Sequence, residues 1–400
     1  MEEKASLAAG RSYASAVLYF DHNATTPMLP EACKGWLEAT EKFIGNPSSP
    51  HRLGQRADAA LQAAREELAA YLGCDAMDIV WTSGATESAN AVFHHLDQTL
   101  PSGSPIWLSA IEHPCVIAAA TERFPGGVVL MPVNHAGVVE VRWLHDHLKL
   151  EKPGAVALMA ANNETGVLQP WSEVGELCRE AAMTFFCDAV QWVGKLPARG
   201  LGSCDFVSGS AHKFGGPRGV GFLKCPSGTR IKPLLLGGGQ EDGRRAGTEN
   251  VAGVISMLAA LGIREKAMDG SGVREREMWR REFEAQLVSE LRGCEIVGGT
   301  LPRLWNTVSA LMPEADCQRR WVVKLDRFGF AVSTGSACSS GREEPSHVLA
   351  AMGHTAAQAA RVLRFSSGWE TPREDWASLF AGLKKVNALV GNAAVEPGSS

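Results

Sequence analysis

The sequence predicts an α/β unit built on a mostly parallel sheet, followed by a smaller α+β unit. Seven short apolar runs carry the first part, at residues 79–81, 106–108, 128–131, 156–159, 185–186, 206–207 and 220–223. None shows clean polar alternation, so the sheet they form must be covered on both faces. Helix-length segments at 86–100, 114–123 and 170–182 separate several of them, the order that lays strands parallel. Upstream, Ala57, Leu61, Ala64, Leu68 and Leu72 recur on one helical face, and Gly73 ends that helix. The second part rests on a change of texture after Gly247. A long helical region over 249–291, charged between 264 and 284, is broken near 267–272 by an Asp-Gly-Ser-Gly sequence. Shorter apolar runs at 294–297 and 306–311, further helices and a strand over 362–365 follow, and residues 393–400 read as a frayed end.

Length and composition agree with two units. At about 150 residues per domain, 400 residues give two to three domains with large buried cores. Hydrophobic residues make up 45% and charged residues 21%, which excludes a disordered or fibrous chain. A formal charge of −5 leaves no electrostatic footprint for nucleic acid or an anionic membrane, so small-molecule or protein partners are expected. The longest uncharged apolar stretch, 250–263, is shorter than the roughly 20 residues of a spanning helix. Residues 1–16 carry Glu2 and Glu3 and no compact apolar core of a signal peptide. A cytoplasmic protein is the expectation. Its ten cysteines are scattered without a CxxC pair, so no metal site is expected and most thiols read as buried in a reducing compartment. The 42 glycines have no G-X-Y period and must serve turns and sites of close backbone approach.

Three motifs carry chemistry. Thr82-Ser-Gly-Ala-Thr-Glu-Ser88 lies between a strand and a helix, where backbone N–H groups and a hydroxyl can meet a phosphate; an ordinary helix cap explains it as well. Cys187-Asp-Ala-Val-Gln191 puts an acid, Asp188, at the end of an apolar strand, where it is either a strand-end cap or the partner of a pyridinium nitrogen. Ser208 to Gly221 holds Lys213 in a glycine-rich loop, suited either to solvated charge or to a desolvated, Schiff-base-forming amine. A phosphate cup, an acid and a lysine together are harder to read as three coincidences.

At these residues the chain resembles the class V aminotransferase group of pyridoxal-phosphate enzymes, and within it the cysteine desulfurases of the NifS/IscS type. The likeness runs through Tyr19-Phe-Asp-His-Asn-Ala-Thr-Thr-Pro27, Gly45-Asn-Pro-Ser-Ser-Pro-His51, the three motifs above, Ala161-Asn-Asn-Glu-Thr-Gly166, Arg245-Ala-Gly-Thr-Glu-Asn250, Ser333 to Gly341 and Arg364-Phe-Ser366. It implies the PLP-dependent transferase fold type I: a large domain (24–265) with a mostly parallel seven-stranded sheet, and a smaller α+β domain formed by 1–23 and 266–400. It implies pyridoxal 5′-phosphate as cofactor, carried by Lys213. Asp188 would face the ring nitrogen and His113 would stack on the ring, with Gln191 and Asn163 near its phenolic oxygen. Ala85, Thr86, Ser210 and His212 would hold the phosphate, with Thr248 reaching in from the second subunit of a homodimer. Arg364 would clamp the substrate carboxylate by two parallel hydrogen bonds, helped by Asn163 and Asn23. Arg218 and Ala211 stand where the family more often has Lys and Gly.

The decisive segment is Ser333-Thr-Gly-Ser-Ala-Cys-Ser-Ser-Gly341, whose small residues suit an exposed, mobile thiol at Cys338. The other nine cysteines, Cys187 among them, read as bystanders. The resemblance implies that L-cysteine is converted to L-alanine while its sulfur passes to Cys338 as a persulfide. A sulfur-acceptor protein, in iron–sulfur cluster assembly or tRNA thiolation, would then receive it. Selenocysteine lyase and class V aminotransferase activity are the alternatives, and a cofactor-free scaffold is the non-enzymatic one. The C-terminal segment does not resemble the scaffold-docking tail of the iron–sulfur desulfurases.

Overall fold

The computed structural model describes residues 17–268, 270–314, 318–334 and 345–393. Twelve strands are found among them: β1 (Leu18–Tyr19), β2 (Ile79–Thr82), β3 (Ile106–Ser109), β4 (Val128–Met131), β5 (Ala155–Met159), β6 (Thr184–Asp188), β7 (Phe206–Ser210), β8 (Gly221–Lys224), β9 (Glu295–Ile296), β10 (Thr307–Leu311), β11 (Phe330–Ala331) and β12 (Val362–Ser366). Seven form the main sheet, in the order β2-β8-β7-β6-β5-β3-β4, with β8 the one strand reversed against its neighbours. The strands β3, β5, β6, β7 and β8, and β2 at one edge, are buried along nearly their whole length, as their unbroken apolar runs require. β4, at the other edge, departs from this: its Leu130 is half exposed.

Helices cover the sheet. Arg52–Leu72 buries the predicted face of Ala57, Leu61, Ala64, Leu68 and Leu72, and Gly73 closes it in the left-handed conformation at φ 78°. Val251–Met268 packs against it and against the helix Pro30–Lys42, burying most of its apolar length. The predicted long helical region is two helices: the second, Gly272–Glu290, starts at the last glycine of the Asp-Gly-Ser-Gly sequence. Among the described residues no helix is long and apolar enough to cross a membrane.

The second unit is a three-stranded antiparallel sheet, β12-β10-β9, with its own core of Phe20, Phe283, Leu287, Val308, Trp321, Leu363, Phe365, Trp376 and Leu383. Residues 18–23 cross from β1, which pairs with β11, to the end of β12. There the Asn23 N–H donates to Ser366 Oγ at 3.0 Å. A shared cluster of Ile111, Met159, Val297, Leu311, Val348, Leu349, Met352 and Val362 joins the carboxyl end of the main sheet to this second unit.

Candidate active site

A cavity of about 220 Å³ opens at that junction. It lies outside the carboxyl ends of the parallel strands, where open α/β sheets bind ligands because each strand hands over to a turn and a helix there. Asn23, Ala85, Thr86, His113, Asn163, Asp188, Gln191, Ser210, His212, Lys213 and Arg364 all line it. Thr248 is exposed and not in this wall, although Arg245 in the same segment pairs with Glu87 of the helix Ala85–Thr99 at 2.9 Å. Cys338 lies outside the described residues.

Asp188 ends β6. Its Oδ1 accepts both the Val190 N–H and the Ser208 hydroxyl at 3.1 Å, so among the described residues Oδ2 is left for a group in the cavity. Burial pushes this carboxyl above its usual range, opposed by His113, by those two hydrogen bonds and by Lys213. A carboxylate in such a place gains from a cation set against it.

Lys213 ends a 3₁₀ turn, Ala211–Lys213, directly after β7. Its ammonium donates to the main-chain oxygens of Asn23 at 2.7 Å and Ala24 at 2.9 Å. His113 caps the helix Pro114–Arg123, with Pro114 at the first helical position. Its Nδ1 accepts the Cys115 N–H at 3.2 Å and meets the Cys115 thiol at 3.0 Å. Desolvation lowers its pKa, with Asp188 acting the other way.

At the N-terminus of the helix Ala85–Thr99, the Ala85 N–H donates to Ser210 Oγ at 2.9 Å. Gly84 takes φ 149°, and a Cβ on Gly221 would come within 2.6 Å of the Gly84 Cα, so this close approach of β8 to the helix start admits only glycine at 221. His212, its pKa lowered to about 4 by burial and then by Lys213 and Arg218, stands neutral beside this cup.

The opposite wall comes from residues distant in sequence. Arg364 on β12 donates to Asp21 Oδ1 at 2.6 Å and to the Asn163 main-chain oxygen at 3.1 Å. Its backbone is bridged to Ser333. Asn23 donates to the Asn163 main-chain oxygen at 3.1 Å and to Thr307 Oγ1 at 2.9 Å. Its Oδ1 accepts from Asn306 and from Lys195.

Sequence reasoning missed Ala24, Cys115, Met159, Ala161 and Val190 in the wall, and Asp21 and Lys195 behind it. Cys115 corrects the reading of nine bystander thiols by position: it borders the cavity beside His113. By chemistry it stays inert, because burial and then Asp188 push it up to about 12. Cys187 is fully buried and pushed well above the usual thiol range by desolvation.

The residues fit pyridoxal phosphate. A buried acid with one oxygen to spare suits the pyridine nitrogen, the helix start with Ser210 suits the phosphate, and Lys213 supplies the amine.

Comparison with known proteins gives the same direction. The family model of class-V aminotransferases matches residues 18–379. The cysteine desulfurase of Trichormus azollae is 36% identical over 357 residues, covering 88% of each chain. A solved structure described as a NifS-like protein superposes with a TM-score of 0.83 at 32% identity, covering 94% of this chain and all of that one. Another, described as SspA in complex with cysteine, gives 0.74 at 27% identity, covering 87% and 98%.

Proposed function

From a chain that belongs to the aminotransferase class-V family and is a pyridoxal 5′-phosphate-dependent cysteine desulfurase, we propose a division of labour among its residues. The observation that carries it is the convergence of Lys213, Asp188, His113 and Arg364 on one cavity. Pyridoxal phosphate, when bound, supplies an electron sink that acidifies the Cα proton of an amino acid. Ser210, Thr86, His212 and the helix start at Ala85 hold its phosphate, Asp188 its ring nitrogen, and Gln191 and Asn163 its phenolic side. Arg364 fixes the carboxylate of L-cysteine, with Asn23 holding the frame around it. The amine of Lys213 takes the Cα proton, and His113 moves a proton at the substrate's sulfur end.

The Cys338 thiolate attacks the substrate sulfur. A sulfur–sulfur bond forms as the Cβ–S bond breaks, and protons return to the three-carbon product. L-Cysteine plus enzyme thiol thereby gives L-alanine plus enzyme persulfide with no outside oxidant. An acceptor protein, for iron–sulfur cluster assembly or tRNA thiolation, then takes the outer sulfur. The reading includes a homodimer in which Thr248 of one subunit reaches the other's cofactor, which its exposure outside the cavity of its own chain supports. It also includes domains at 24–265 and at 1–23 with 266–400, and a cytoplasmic setting that keeps the thiols reduced.

Mass spectrometry of the holoenzyme after treatment with L-cysteine tests it. The expected result is one added sulfur on the Cys338 peptide, with alanine formation lost in Cys338→Ser. Sulfur on a different cysteine, or unchanged turnover in the variant, overturns the assignment.

A further inference from the structure

Lys195 is 3% exposed and lies behind the cavity wall rather than in it. It follows Gln191 by one helical turn in a tight turn region, and the Trp305 indole N–H holds its main-chain oxygen at 2.9 Å. Its Nζ donates to Gln191 Oε1 in a short hydrogen bond and to Asn23 Oδ1 at 2.9 Å. A buried lysine without a carboxylate partner among the described contacts is costly, so its two hydrogen bonds need a reason.

The reason lies in which way two amides must point. Asn23 Nδ2 faces the Asn163 main-chain oxygen, which can only accept, so Oδ1 must turn toward Lys195. Gln191 has the matching constraint: Lys195 donates to its oxygen, so Nε2 turns the other way, giving one hydrogen to the Asn23 main-chain oxygen at 3.0 Å. The second Nε2 hydrogen is then available to the cavity that Gln191 lines. The same Asn23 oxygen receives Lys213 at 2.7 Å, so one residue ties the resting place of the amine to the orientation of the amide.

We propose that Lys195 is a positioning residue for the reaction, fixing the Gln191 amide so that it presents a donor to the cofactor's phenolic oxygen and holding the side chain of Asn23, the residue whose main-chain oxygen receives Lys213. Burial, and then the charges of Lys213 and Arg364, pull the Lys195 pKa well below the usual lysine value. Two donated bonds to two oxygens need no more than a neutral amine, so the arrangement tolerates that shift. Without Lys195, Gln191 can flip and present an oxygen where a donor is required.

The inference rests on the cofactor reading above, and one set of proteins separates the two. Full-length wild type, Lys195→Met, Gln191→Leu and the double variant are stripped of cofactor, and the affinity for pyridoxal phosphate is measured directly. Turnover and KM for L-cysteine are then measured on the reloaded proteins. Lys195→Met is expected to weaken cofactor binding and lower kcat each by about tenfold, with KM within about twofold, the scale of one misplaced hydrogen bond. The double variant is expected to be no worse than the poorer single one. Lys195→Met values within twofold of wild type overturn the proposal, and so do losses that multiply in the double variant. If Lys195→Met does not fold, Lys195→Gln is read by the same cycle: a loss absent in the Gln191→Leu background supports the proposal, and an equal or absent loss in both backgrounds overturns it. Wild type that neither binds pyridoxal phosphate nor releases alanine sinks the cofactor reading instead.

Discussion

The two walls of the cavity are built by different means. On the strand-end wall each side chain is placed by its own strand and turn: Asp188 by β6, Ser210 and Lys213 by β7 and the turn after it, Thr86 by the turn after β2, His113 by the helix cap after β3. On the facing wall the side chains are held by residues distant in sequence, although Arg364 itself stands on β12. Arg364 is held by Asp21, 343 residues away in sequence, and Asn23 by groups at 163, 195, 306, 307 and 366. A wall whose members are fixed locally can hold a permanent cofactor. A wall held by mutual hydrogen bonds can give way to an incoming substrate, since the Asp21 contact of Arg364 is one that a substrate carboxylate can share or replace.

This contrast assigns different failures to the two walls, and the largest is on the strand-end side. Asp188→Asn keeps the shape and the bonds to Val190 and Ser208 but removes the charge. A loss of kcat on the order of 10²–10³ is expected, as for removal of one well-placed electrostatic partner. Steady-state kinetics with L-cysteine that show less than a tenfold fall would mean the charge is not used.

The facing wall should fail in binding. Arg364→Lys keeps a cation but loses the planar fork, so KM for L-cysteine is expected to rise by roughly tenfold while kcat changes less. If kcat falls and KM holds, Arg364 belongs with the strand-end group and the contrast between the walls breaks down.

The same contrast explains what the sequence discloses. The seven strands and the motif residues at their ends are legible because an apolar run, a turn and a functional side chain are neighbours in the chain. Lys195, in Trp192-Val-Gly-Lys-Leu-Pro, carries no local sign of burial; residues distant in sequence meet it there, Asn23 from 172 residues away and Trp305 from 110. Asp21 is part of a motif, yet its pairing with Arg364 depends on residues 18–23 crossing from β11 to β12, which no local pattern encodes. Cys115 looks like the other buried thiols because its neighbours are apolar, and its place in the wall follows from the His113 cap. For Leu130, an apolar run does not tell a central strand from an edge.

The smallest effect concerns what supports the strand-end wall from behind. Glu112 is fully buried; its Oε1 accepts the Met159 N–H at 2.7 Å, and its Oε2 has no partner among the described residues. Burial, and then the charge of Asp188, push its pKa up to about 8. In the folded protein it therefore keeps its proton at neutral pH, whereas the unfolded chain releases it near 4.5. Between those values the folded state binds the extra proton, so stability contributed by this group falls as pH rises, by at most about 1.4 kcal/mol per unit. Glu112→Gln keeps a neutral group of the same shape and still offers an oxygen to Met159. Its stability advantage over wild type is expected to grow from pH 5 to pH 8 and then level off, with turnover at neutral pH unchanged. Urea midpoints of the two holoenzymes across that range measure it, and taking the difference cancels other titrations, such as His22, whose pKa burial lowers to about 4. Curves that stay parallel would mean that Glu112 is ionised in the fold. The strand-end wall would then carry two adjacent buried charges, Glu112 and Asp188, and a cofactor cation would have to answer both.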